Sequence, residues 1–256
     1  MTARHPVEGP PCLLPDWPAP ARVRALVTTR AGGCSLPPYD SLNLGDHVGD
    51  DPQAVAANRA CLQTLLPGPA QWLTQVHGVQ VLTAPMPGCP EADAVTTDQL
   101  DQPVLVMTAD CLPVLMTNRA GTRVAAAHAG WRGLCDGVLE QTVAAFGTGT
   151  EVMAWLGPAI GPQAFEVGSE VRAAFLARDT AAASAFVPVD GKPGHWLADI
   201  YLLARQRLAS VGVTAVYGGG ACTYTQVNDF FSYRRDGRTG RMASLIWLAS
   251  EQNNDG

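Results

Sequence analysis

The chain has 256 residues, 47% of them hydrophobic and 16% charged, which is the length and balance of one large soluble domain, or two small ones, with a real core. A net charge of -6 argues against nucleic acid as the main partner, because phosphate backbones demand a basic face. Met1 to Pro20 is proline-rich and lacks a secretion signal, and no stretch nears the roughly 20 apolar residues of a bilayer span, so a cytoplasmic protein with no membrane partner is expected.

In chain order, residues 1–21 read as an irregular lead-in. A strand follows at 22–29, then the turn Arg30-Ala31-Gly32-Gly33 and a loop through Ser41-Leu42-Asn43-Leu44-Gly45. Asp51-Pro52 opens a helix, since Asp caps well and Pro suits the first helical position, and Pro67-Gly68 closes the region. Short apolar runs predict strands at 71–76, 79–83, 103–109, 112–117 and 122–128. Helical spacing predicts a helix at 132–146, stopped by Gly147. A strand at 151–156 leads into the rigid turn Gly157–Pro162, and helices at 168–178 and 196–210 precede strands at 213–217 and 242–248. Residues 251–256 form a polar tail. No linker or repeat divides 22–250, so one α/β (α+β) domain with mixed sheets packed between helices is expected.

Five histidines and seven cysteines are the chain's soft donors, and no CxxC pair is present, so a disulfide framework or zinc knuckle is not indicated. Three of these residues end apolar runs: His77 in Thr74-Gln75-Val76-His77-Gly78, Cys111 in Thr108-Ala109-Asp110-Cys111, and His128 before Ala129-Gly130-Trp131-Arg132. Two imidazoles and a thiolate with a vacant position are the ligand set of a catalytic zinc site. The separations of 34 and 17 residues mean that only the tertiary fold can unite them. Satisfied core histidines with a buried cysteine are the plainer alternative. A Cys111 nucleophile activated by His128, with Asp110 or a backbone carbonyl orienting the imidazole, is a third. Blue copper would add a weak axial Met107 or Met116, whereas a multicopper oxidase needs His-x-His pairs that the chain lacks.

Arg30, Arg59 and Arg132 are candidates for an anion pocket, and Arg234, Arg235, Arg238 and Arg241 form a basic cluster. Phe230-Phe231-Ser232-Tyr233 offers a wall for a planar ligand or simple core packing. Asp199 reads as a solvated helix-face residue, and Glu166 as a weak general-acid candidate.

These segments resemble the YfiH family, also described as laccase-domain or polyphenol-oxidase-like proteins and as peptidoglycan editing factor. The resemblance rests on Thr28-Thr29-Arg30-Ala31-Gly32-Gly33, Ser41–Gly45, His47-Val48-Gly49-Asp50-Asp51, Thr74–Gly78 and Ala92-Asp93-Ala94. It continues through Thr108–Val114, His128–Gly133, Gly157–Gly161, Phe231–Asp236 and Thr239-Gly240-Arg241, one order over about 22–248. It implies a fold similar to certain bacterial toxin cysteine hydrolases, and zinc, or else copper, on His77, Cys111 and His128. Arg30, Arg59, Arg132, Asn43, Gln75 and Phe231 are the expected substrate and phosphate contacts. The implied activity is phosphorolysis of adenosine, inosine and methylthioadenosine, with adenosine deamination beside it. An amidase that removes L-serine from a UDP-sugar cell-wall precursor is the alternative implied by the same resemblance, and copper-dependent phenol oxidation ranks below both.

Overall fold

A computed structural model of the chain describes residues 9–250. Its elements run β1 (Cys12–Leu13), β2 (Val23–Thr28), α1 (Pro52–Gln63), β3 (Val81–Thr83), β4 (Ala94–Thr97), β5 (Val104–Thr108), β6 (Leu112–Asn118) and β7 (Val124–Ala129). Then follow α2 (Trp131–Asp136), α3 (Val138–Ala144), β8 (Val152–Leu156), β9 (Glu166–Gly168), α4 (Ser169–Arg178) and β10 (Phe186–Pro188). The chain closes with β11 (His195–Ala198), α5 (Ile200–Ser210), β12 (Ala215–Gly218), α6 (Tyr233–Asp236) and β13 (Met242–Leu248).

The central sheet has six strands in the order β12-β8-β6-β7-β4-β3, mixed in direction, with parallel pairs at its two edges. An antiparallel four-stranded sheet, β1-β2-β13-β5, packs on one of its faces. Strand periodicity shows why both faces are dry. Along β6, Leu112, Val114 and Met116 enter one core with the helices, while Leu115 enters the core between the sheets. Along β7, Ala125, Ala127 and Ala129 face the helices, and Val124 and Ala126 face the other sheet. Likewise Val104 and Val106 of β5 face inward to the sheet interface, whereas Leu105 and Met107 pack with Leu62 of α1. The result is a helix–sheet–sheet–helix stack in one domain, since strands buried on both faces must be apolar at every position. β9, β10 and β11 form a small separate sheet. Among the described residues, no helix is long and apolar enough to cross a membrane.

Several expected elements are redrawn. The lead-in carries β1, whose Cys12 and Leu13 pair with Thr28 and Val27. Residues 71–76 are not a strand; their ladder pairing is confined to isolated bridges at Gln71 and Thr74. The helix expected at 132–146 breaks into α2 and α3 at Gly137, where φ of 109° is a left-handed turn that a side chain resists. The start of the helix expected at 196–210 is strand β11 instead. Asp199 is correspondingly its N-cap, accepting from the Leu202 amide at 2.9 Å, rather than a solvated face residue. Residues 1–8 and the 251–256 tail lie outside the described residues. All seven cysteines are free thiols.

The cap has a measurable worth. Asp199→Ala should lower unfolding stability by about 1 kcal/mol in urea denaturation; an unchanged midpoint would show that α5 is held by packing alone.

Candidate metal centre

Strand register brings two of the three donors together. β6 and β7 are antiparallel neighbours with Leu112 opposite Ala129 and Pro113 opposite His128, so Cys111 and His128 leave the same end of one hairpin. β4 pairs on the other side of β7, with Ala94 opposite Ala127, which sets Asp93 beside His128. The His128 amide donates to the Asp93 carbonyl at 2.7 Å, and the His128 Nδ1 lies 2.7 Å from Asp93 Oδ1.

The same carboxylate captures the third donor. Asp93 accepts from the backbone amides of Val76, His77 and Gly78 at 3.2, 2.9 and 2.6 Å. That nest holds His77 at φ of 61°, with its ring edge-on to His128 at 4.8 Å between centroids. The orienting partner of His128 is therefore Asp93 and not Asp110. Asp110 points elsewhere, accepting from the Thr223 hydroxyl and the Arg234 amide, each at 2.6 Å. Asp93 stood in a quoted motif, but nothing in its spacing marked it; only the pairing of β4 with β7 does so.

The donor atoms of His77, Cys111 and His128 all lie within 4.8 Å of one another, with Cys111 Sγ and His77 Nε2 at 3.9 Å. Metal bonds of about 2.0–2.3 Å to nitrogen and sulfur suit such a set. Gly130 keeps the space clear: a Cβ there would stand 2.8 Å from His77 Cδ2 and 3.1 Å from Cys111 Sγ. His77 is exposed, Cys111 half-buried and His128 buried, so the group is open on one side. It is the one such three-donor group among the described residues, and it can hold a metal ion. The donor set has two imidazoles, one thiol and an outward-facing side; Asp93 holds the His128 ring and, through the backbone amide, the turn that carries His77.

Burial opposes charge on Cys111, yet His128 and His77 outweigh it and bring the thiol down to about 6. Burial likewise opposes protonation of His128, but the Cys111 thiolate and Asp93 raise it to about 9. Burial also disfavours the Asp93 carboxylate, and His128 with the Gly78 amide holds it below its ordinary range.

The other expected contacts divide. Gln75 completes the end of β5, donating to the Met107 carbonyl at 2.8 Å and accepting from its amide at 2.7 Å. Buried Asn43 accepts from the Arg241 amide at 2.9 Å, and Arg241 lies within electrostatic reach of Cys111 and Asp110. Arg59 pairs with Asp46 at 3.2 Å, donates to the Leu44 carbonyl and lies 4.0 Å over the Trp72 ring. His47 is also beside Asp46, at 3.5 Å; burial, then Arg241, holds this imidazole below its ordinary range. Arg30 pairs with Asp40 and lies 5.0 Å over Phe231, while exposed Arg132 lies over its neighbour Trp131. Phe230 and Phe231 are core residues, which leaves Tyr233 as the wall of that segment. Glu166 sits in exposed pairs with Lys192 and His195, away from the three donors. Arg241 is the residue that the sequence reading passed over as one member of a basic cluster.

Two outcomes test this electrostatic arrangement. Asp93→Asn should weaken divalent-metal affinity by about 10–100-fold, read by competition with a chromogenic chelator. An affinity within twofold of the parent would count against Asp93 as the anchor. In the metal-free protein, imidazolium stabilisation from His128 is whole below pH 6.5 and is lost as pH rises through about 9. The Cys111 thiolate contribution is whole above pH 9 and is lost as pH falls through about 6. The pair is therefore strongest between those limits, and metal uptake, which needs neutral imidazole, should release about one proton near pH 7.5. Calorimetric titration in buffers of different ionisation enthalpy counts it, and a value of zero would sink the assignment of charge.

Residues 24–249 match the family model described as multi-copper polyphenol oxidoreductase laccase. A purine nucleoside phosphorylase of Pseudomonas aeruginosa is 60% identical over 237 residues, spanning 92% of this chain and 98% of that protein. The purine nucleoside phosphorylase YfiH of Escherichia coli strain K12 is 58% identical over 241 residues, with coverage of 92% and 98%. Among solved structures, a Neisseria meningitidis protein superposes with a TM-score of 0.90 at 52% identity, covering 93% of this chain and 99% of that one. A Bacillus licheniformis hypothetical protein YfiH superposes with a TM-score of 0.86 at 28% identity, covering 96% and 98%. Sequence, fold and donor cluster agree: the chain is an enzyme of the YfiH family.

Proposed function

We propose that the chain is a zinc-dependent purine nucleoside phosphorylase acting in the cytoplasm on adenosine, inosine and methylthioadenosine. The observation that carries the reading is the open His77–Cys111–His128 group with the half-buried Arg241 guanidinium within electrostatic reach of Cys111. The names of the relatives supply the substrate class. In the reaction, a phosphate oxygen bonds to C1′ as the C1′–N9 bond breaks. The electron pair leaves with the purine, which takes up a proton, and ribose 1-phosphate or its methylthio analogue remains.

Arg241 is the principal phosphate contact in this reading. Its backbone is fixed by Asn43, its guanidinium lies near Cys111, and burial strengthens its attraction for an anion. Arg59, paired with Asp46, lies further along, and His47, which burial and Arg241 hold in its neutral form, offers a hydrogen bond rather than a charge. Asp93 keeps the His128 ring in one orientation and fixes the backbone from which His77 projects. A zinc ion held by His77, Cys111 and His128 would supply Lewis-acid stabilisation of an oxygen anion, and a thiolate–imidazole set suits zinc better than harder cations. Adenosine deamination is a proposed side activity of the same site.

One observation favours a second reading. Cys111, His128 and Asp93 stand in the order nucleophile, base and orienting carboxylate, which is an acyl-transfer arrangement. That would serve an amidase acting on an L-Ser-bearing UDP-sugar precursor. Metal and acyl group compete for one sulfur, so the two readings require different states of Cys111. Copper-dependent phenol oxidation draws on the family model's description, but several coppers need more imidazoles than this group offers.

Inosine with phosphate should yield hypoxanthine and ribose 1-phosphate, whereas inosine alone should yield neither. Release of hypoxanthine that ignores phosphate would reject phosphorolysis. Arg241→Gln should raise the KM for phosphate about tenfold or more, and Cys111→Ser should lose zinc by elemental analysis. Precursor cleavage by chelator-treated protein that turns over no nucleoside would establish the amidase instead.

A further inference from the structure

Cys111 also lines a cavity of about 150 Å3. Aromatic Trp131, Phe165 and Tyr233 line it together with Ile160, Ile200 and Asp110. Its wall is built rather than incidental. The Arg234 guanidinium lies 5.6 Å over the Phe165 ring and donates to the Glu166 carbonyl at 2.8 Å, which fixes that side chain. The Asp110 carboxylate is 9% exposed and held by Thr223 and Arg234 from two further segments.

Size and lining narrow the occupant. An apolar cavity of about 150 Å3 takes a benzene-sized ring, whereas pockets for larger organic ligands run to about 300–1,000 Å3. A flat ring system inserted from the Cys111 side fits, and a nucleotide sugar does not. Asp110 has two hydrogen bonds, while a carboxylate offers about four acceptor sites, so it keeps capacity for a ring N–H. Hypoxanthine presents such a donor at N1, and adenine presents one at its 6-amino group.

We propose that this cavity is the purine-base subsite and that Asp110 is its specificity-determining residue, accepting a hydrogen bond from the N–H edge of the base. The proposal rests on the nucleoside reading above. The base would then lie against Trp131, Phe165 and Tyr233 beside Cys111, and the phosphate toward Arg241, which is within electrostatic reach of Cys111, Asp110 and Tyr233. A pocket built to pair with a ring N–H discriminates strongly against an analogue without one, because its own polar group is left unpaired.

The test is equilibrium binding to the metal-loaded protein without phosphate, by calorimetry, so that no turnover is required. Wild type should bind inosine at least tenfold tighter than purine riboside, which has hydrogen at C6 and an unprotonated N1. Asp110→Asn, which tolerates the left-handed backbone at φ of 88°, should abolish or invert that ratio by putting a donor where an acceptor stood. Tyr233→Ala removes an exposed ring, so the fold should survive while hypoxanthine binds about tenfold more weakly. Equal affinities for the two nucleosides in wild type, an unchanged ratio in Asp110→Asn, or unchanged hypoxanthine affinity in Tyr233→Ala would overturn the proposal. Selective binding without phosphate-dependent turnover would instead sustain the subsite and reject phosphorolysis.

Discussion

One buried carboxylate organises the centre. Asp93 faces His128 across a strand pair and gathers three consecutive amides of the 76–78 turn, so both imidazoles are placed by a single side chain. Removing such a group from water is costly unless its lone pairs are satisfied, and here every hydrogen bond that satisfies it also positions a ligand. The fold meets this requirement through strand order: β4 and β6 flank β7, so Asp93, His128 and Cys111 meet at one sheet end. His77 is then supplied by a loop with no strand of its own.

Around that anchor the surroundings are asymmetric in charge and polarity. One flank carries Arg241, Arg59 and His47 over a framework of Asn43, Asp46 and Asp50. The adjoining cavity is aromatic and aliphatic, with Asp110, which is within electrostatic reach of Arg241, as its acidic member. Asp110, next to Cys111 in the chain, and Asp93, at the end of β4 two strands from β6, keep different partners and different roles.

Much of this was legible from local sequence and some was not. The two-faced apolar runs of β5, β6 and β7 announced buried strands, and Asp51-Pro52 announced α1, because both signals are local. The three donors were legible as side chains that end apolar runs, but their meeting depends on strand pairing. Gly137 was misread inside a helical pattern because the apolar spacing persists across the break in the axis. Asp199 was misread because it alone separates β11 from α5, and amphipathic spacing does not reveal the joint. Asp93 and Arg241 were overlooked for a common reason: each acts on residues distant in the chain.

The unequal exposure of the donors sets how an ion would come and go. Cys111 and His128 belong to one rigid hairpin, whereas His77 faces solvent from a turn held by hydrogen bonds to one side chain. An outer ligand of this kind can detach first, leaving a two-point attachment that a competing chelator can reach. The layered core does not pass through that turn, so stripping the ion leaves the stack of helices and sheets standing. Such a centre is demountable, unlike the closed four-ligand knots whose loss unravels a small domain.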